Sequence, residues 1–101
     1  MGKSRITETL KNGKVLVSDG AWGTFLQIKG MKPGQCPEAW CLDRPDDVLD
    51  IAKSYIAAGA DMIETDSFGG TSFKLEHYQM ADKVAVINEA AAKISRKAAG
   101  D

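Results

Sequence analysis

The chain has 101 residues, 44% of them hydrophobic and 27% charged, with a formal net charge of -1. That balance lacks the clustered cations that nucleic acid or an anionic membrane selects, and no apolar run approaches the ~20 residues of a bilayer span, so neither partner is expected. The opening MGKSRITETL carries no apolar leader core, and Ile6 stands where a myristoylation motif has Ser or Thr, which makes the cytoplasm the expected location.

In chain order, Ile6 to Lys14 reads as a short helix ended near Asn12-Gly13. Val15-Leu16-Val17 is too short for a helix and rich in β-branched residues, so it predicts a strand, Val15 to Ser18, buried on both faces. It empties into Ser18 to Thr24, a polar turn with two glycines, after which Trp22 to Lys29 can form a short helix. Gly30 to Cys41 holds Pro33, Gly34 and Pro37, which predicts an irregular excursion; loops of that length are often functional, and Trp40 gives this one weight to cap a pocket.

Pro45, Asp46 and Asp47 make a good helix start, and Val48, Ile51, Ala52, Tyr55 and Ile56 follow at helical spacing up to Gly59. A second apolar run predicts a strand from Asp61 to Thr65, parallel to the first, followed by the turn Asp66 to Thr71 with its Gly69-Gly70 pair. Thr71 to Tyr78 predicts a short helix and Ala81 to Ala99 a long one, with Val84, Ile87, Ala91, Ile94 and Ala98 on one face. A third strand is due near Gly100-Asp101. Two strands and their helices leave sheet edges unpaired, so the chain reads as the opening part of a larger α/β domain.

Loops at the C-terminal ends of parallel strands carry ligands, which singles out Asp19 in the first turn and Thr65, Asp66 and Ser67 in the second. Asp19 suits a cationic group, and the Gly20 and Ala21 amides suit an anion; by residue type alone, capping the following helix is the favoured role for Asp19. Glu64, if turned into a core, needs a partner. Cys36 and Cys41 have a spacing that half a zinc site tolerates, but His77 is the only other soft candidate, so free thiols are expected and no metal ligand is assigned. His77, with no partner identifiable in the sequence, reads as a surface or packing residue, and no catalytic residue is expected in the chain.

Asp19-Gly20-Ala21-Trp22-Gly23-Thr24 with Leu26-Gln27, then Arg44-Pro45-Asp46, then Gly59 to Thr71, then Phe73-Lys74-Leu75, resembles the homocysteine S-methyltransferase family, and within it the homocysteine-binding domains of cobalamin-dependent methionine synthases. The resemblance runs from about Val15 to Asp101. It implies a (β/α)8 TIM barrel, of which residues 1-101 would be the N-terminal fragment, and transfer of a methyl group to the zinc-bound thiolate of homocysteine to form methionine. It also implies that Asp19 faces the homocysteine ammonium and that the Gly20 and Ala21 amides face its carboxylate. Zinc in the family is held by one lone cysteine and a Gly-Cys-Cys-Gly pair from later strands, none of which is present here. Zinc and cobalamin are thus the implied cofactors. Homocysteine, the rest of the barrel and a cobalamin or folate methyl-donor module are the implied partners, and the 101 residues alone should be inactive. The competing expectations are a non-catalytic assembly piece and a barrel methyltransferase for another thiol.

Overall fold

A computed structural model describes residues 5–100. The expectations placed on Met1 to Ser4 and on Asp101, the lack of a leader core and the third strand, fall wholly or partly outside those residues. The described elements are helices α1 (Arg5–Lys11), α2 (Gly23–Ile28), α3 (Trp40–Asp43), α4 (Pro45–Ala57), α5 (Ser72–Glu76) and α6 (Val84–Ala99), with a 3₁₀ turn at Ala81–Lys83.

Helix α4 begins where its sequence says it should. Pro45 occupies the first turn, where its missing N–H costs nothing, and Asp46 and Asp47 sit at the positive end of the helix dipole. Arg44 reaches Asp47 at 2.7 Å and lays its guanidinium on the Trp40 ring, 4.6 Å from the centroid. Val48, Ile51 and Ala52 form the buried face, and α6 answers with Ile87, Ala91 and Ser95. The two helices pack together, with Leu26 of α2 and Trp40 and Cys41 of α3 completing one core. A second cluster joins Cys36, Ala39, Leu75 and Ile87. Truncating wholly buried Ile51 to Ala should cost about 2–5 kcal/mol.

The helix ends share one device. At the end of α4 the Gly59 N–H donates to Ile56 and the Ala60 N–H to Tyr55, with Gly59 at φ +104°, the left-handed cap that spares a side chain the usual clash. After α5 the same pair of bonds, Gln79 to Glu76 and Met80 to Leu75, is built with Gln79 at φ +59°. That makes Gln79 the lone non-glycine with positive φ among the described residues.

Neither expected strand, Val15 to Ser18 or Asp61 to Thr65, forms as a strand among the described residues; the two runs meet only in a single parallel bridge between Ser18 and Met62. Asp19 N–H donates to the Met62 carbonyl at 3.1 Å, and the Val17 carbonyl accepts from Asp61 at 2.9 Å and Met62 at 3.1 Å. Asp61 returns a carboxylate oxygen to the Val17 N–H at 3.0 Å. Among the described residues the pairing stops there, and the expectation that the first strand is buried on both faces is corrected. Val15 is 81% exposed and Val17 54%, since beyond the single bridge no described element packs over this run. Helix boundaries also shift: the first helix ends at Lys11, the short one at Glu76 rather than Tyr78, and the long one starts at Val84 rather than Ala81, while the excursion is not wholly irregular, since α3 lies at its end. No described helix is long and apolar enough to cross a membrane.

Candidate functional site

The bridge brings the turns that follow the two runs side by side. Gly20 is buried against the second run: a Cβ there would stand 3.3 Å from the Glu64 nitrogen and 3.9 Å from Ile63 Cα. The absence of a side chain is what lets the two backbones approach. Asp19 is exposed, and its Oδ1 accepts the Gly20 N–H at 2.8 Å. That bond occupies one carboxylate oxygen and fixes the side chain over its own turn. Ala21 is exposed beside it, and Asp19 accepts no bond from the following helix, whose N-cap residue, Trp22, makes no side-chain cap.

In the second turn, Thr65 and Ser67 hold their hydroxyls 2.5 Å apart, and the Ser67 N–H closes onto the Thr65 carbonyl at 2.9 Å. Either hydroxyl can donate, so the pair presents one free donor and spare acceptor capacity. Asp66 lies between them and turns the other way. It is only 2% exposed and points beneath the excursion, where the Cys41 thiol donates to its Oδ2 at 3.6 Å. The structure thus brings Asp19, Gly20, Ala21, Thr65 and Ser67 to one end of the bridge and puts Asp66 underneath.

Glu38, unnoticed in the sequence, shares that interior. Its Oε2 accepts the Gly69 N–H at 3.0 Å and its Oε1 the Cys36 thiol at 3.6 Å. Burial first, and then the charge of Glu38, push Asp66 up to about 7. Burial also raises Cys41, with Asp66 adding to it, and raises Cys36. Thiols so placed keep their protons and donate them to carboxylates, the opposite of what a metal-binding thiolate requires. Among the described residues no group of three or more His, Cys, Asp and Glu side chains is arranged to hold a metal ion. The residues present do not fit a zinc site.

Asn88 and Ser95 of α6 are further residues that sequence reasoning missed. The Asn88 amide donates to the Gly70 carbonyl and the Val84 carbonyl, each at 2.8 Å. Ser95, buried on the same helix, donates to the Glu64 carbonyl at 3.0 Å, while Glu64 itself is exposed. The only advance signal for Asn88 and Ser95 was a polar residue directly beside the apolar stripe of α6. Glu38, in a loop, had none.

The excursion packs as core more than as a cover: Met31, Cys36, Glu38, Ala39, Trp40 and Cys41 are buried. A cleft of about 410 Å³ runs between it and the end of α5, bordered by Gln35, Asp43, His77 and Tyr78. His77 is exposed. Phe68, at the tip of the second turn, is 97% exposed, and Trp22 is half-buried with its indole N–H unpartnered.

Comparison with known proteins adds to this geometry. The sequence pattern of the homocysteine S-methyltransferase family matches residues 16–101. Methionine synthase of Mycobacterium leprae (strain TN) is 35% identical over 104 residues, covering 95% of this chain and 8% of that protein. Methionine synthase of Mycobacterium tuberculosis (strain ATCC 25618 / H37Rv) is 33% identical over 96 residues, covering 87% and 8%. Betaine–homocysteine S-methyltransferase 1 of Bos taurus is 29% identical over 104 residues, covering 98% and 26%. The chain therefore spans between 8% and 26% of the length of these relatives.

Proposed function

The chain belongs to the homocysteine S-methyltransferase family, and we propose that it supplies the loops that hold the amino-acid head of homocysteine in a methyltransferase whose other parts lie outside these residues. The observation that carries the reading is the parallel bridge between Ser18 and Met62, which sets the Asp19 turn beside the Thr65–Ser67 turn. The (β/α)8 barrel proposed for the complete domain follows from the family, in which ligand residues stand at the C-terminal ends of parallel strands.

Homocysteine carries an ammonium and a carboxylate at one end and a thiol at the other. Asp19 has one oxygen engaged by Gly20, which holds the carboxylate still, and the second is open to an ammonium. The Ala21 amide and the Thr65–Ser67 hydroxyl pair are donors of the kind a carboxylate takes. The reaction replaces the S–H proton of homocysteine with a methyl group, and nothing in these loops addresses the sulfur. Zinc and the methyl donor are accordingly assigned outside the chain: the cysteines here are protonated partners of carboxylates. Asp66 serves from below, as an anchor of the second turn. Calorimetric titration of the intact protein with homocysteine, compared with its Asp19→Asn variant, tests the reading.

A further inference from the structure

The second turn is gripped at two consecutive residues by two different elements. From the excursion, Glu38 accepts the Gly69 N–H at 3.0 Å; from α6, Asn88 donates to the Gly70 carbonyl at 2.8 Å. Both grips are tight. A Cβ on Gly69 would stand 3.1–3.2 Å from the Glu38 carboxylate, and one on Gly70 would stand 3.0 Å from the Asn88 amide and 3.1 Å from the Ser67 carbonyl. Each gripping side chain is itself fixed. Glu38 is 7% exposed and takes the Cys36 thiol, while Asn88 spends its second amide hydrogen on Val84 of its own helix.

We propose that Glu38 and Asn88 are positioning residues, a clamp of one acceptor and one donor that sets where Thr65 and Ser67 stand relative to Asp19. The inference rests on the proposed homocysteine-head site and adds its support. Gly70 closes the turn by donating its N–H to the Ser67 carbonyl at 2.9 Å, so the position of the Gly69–Gly70 pair is passed directly to Ser67 and its hydroxyl partner Thr65. Glycine at both positions leaves room for the clamp: a Cβ at either would press on the gripping side chain, which would have to give by a few tenths of an ångström. Small displacements of a binding group cost affinity steeply, which is why such a turn needs fixing by two elements.

The test measures homocysteine affinity and amide hydrogen exchange at Gly69 and Gly70 in the intact protein, for wild type and for Asp19→Asn, Glu38→Ala, Glu38→Gln and Asn88→Ala. Expected are a roughly tenfold loss of affinity in Glu38→Ala and in Asn88→Ala, with faster exchange at Gly69 in the former. Glu38→Gln keeps an oxygen for the Gly69 N–H and should return affinity to within about twofold of wild type, a rescue that also answers any failure of Glu38→Ala to fold. If Asp19→Asn weakens binding while neither alanine variant does, the clamp is wrong and the site stands. Failure of Glu38→Gln to rescue a folded protein also overturns the clamp. Unchanged affinity in Asp19→Asn overturns the site and the clamp together.

Discussion

Cys41 Sγ lies 3.6 Å from both the carbonyl oxygen and the Oδ2 of Asp66, tying the excursion to the turn that follows the second apolar run across 25 residues of sequence. The bond uses a thiol as donor and a carboxylate as acceptor, both buried. Two carboxylates, Asp66 and Glu38, face each other's field in that interior, and the proton balance there governs what the loops do with pH.

Stability should fall as the pH rises from about 4 to about 7. Asp66 has a folded-state value near 7 against an ordinary 3.8, so between those values the folded chain keeps a proton that the unfolded chain has lost. Its contribution is most favourable below the ordinary value and is lost by the time pH passes 7. At roughly 1.4 kcal/mol per unit the full swing is of order 4 kcal/mol. Asp66→Asn keeps an oxygen for the Cys41 thiol and cannot ionise. Its melting temperature relative to wild type should therefore climb between pH 4.5 and 7.5; a constant difference would show that Asp66 does not titrate there.

The two thiols should be unreactive. Burial raises both, Asp66 adds to Cys41 and Glu38 to Cys36, and a protonated thiol is a poor nucleophile. Under native conditions a disulfide reagent should modify them at least about ten times more slowly than in denaturant. Equal rates would place them at the surface.

Gln79→Gly should stabilise the protein. The residue sits at φ +59° in the cap of α5, where the corresponding position after α4 is Gly59. A side chain in that conformation costs roughly 1 kcal/mol, and removing it should raise the melting temperature of the intact protein. A lowered melting temperature would mean that the Gln79 side chain contributes more than its backbone strain costs.

Local chemistry explains which parts of this structure the sequence announced. Pro45, the Asp46-Asp47 pair and the stripe from Val48 to Ile56 are a start signal and a period, and α4 follows them. The stripe from Val84 to Ala98 likewise marks α6, and its first member is where the helix begins; Ala81 to Lys83 lack an apolar face and wind as a 3₁₀ turn. Asp66 shows the limit. Between Thr65 and Ser67 it looks like a third polar residue on a rim, and only the partners brought in by the excursion, Cys41 and Glu38, turn it inward. Glu38 and Asn88 were hidden for the same reason, since each acts on a backbone atom of the glycine pair, at residues 31 and 18 positions away. Val15 erred in the other direction: its β-branched run is a local signal for a strand, but strand pairing and burial need partners, and beyond the Ser18–Met62 bridge none meets it, so it stays 81% exposed.

The functional prediction turns on Asp19. Its carboxylate is exposed, braced by the Gly20 N–H at 2.8 Å, and stands just past the bridge, at the end from which the Thr65–Ser67 turn also leaves. An ammonium bound there would gain a charge-assisted hydrogen bond, and Asn in its place keeps the shape and the acceptor oxygen while losing the charge. Asp19→Asn in the intact protein should therefore weaken homocysteine binding by roughly 1.5–3 kcal/mol, about 10- to 150-fold. Metal content should not change, because the thiols of Cys36 and Cys41 donate hydrogen bonds to Glu38 and Asp66 and Asp19 touches neither. The 101 residues by themselves should give no methyl transfer to homocysteine when zinc and a methyl donor are supplied, since these loops address only the head of the substrate. Normal homocysteine affinity in Asp19→Asn would reduce Asp19 to a brace for its own turn, and turnover by the isolated chain would place the sulfur chemistry among residues that show no arrangement for it.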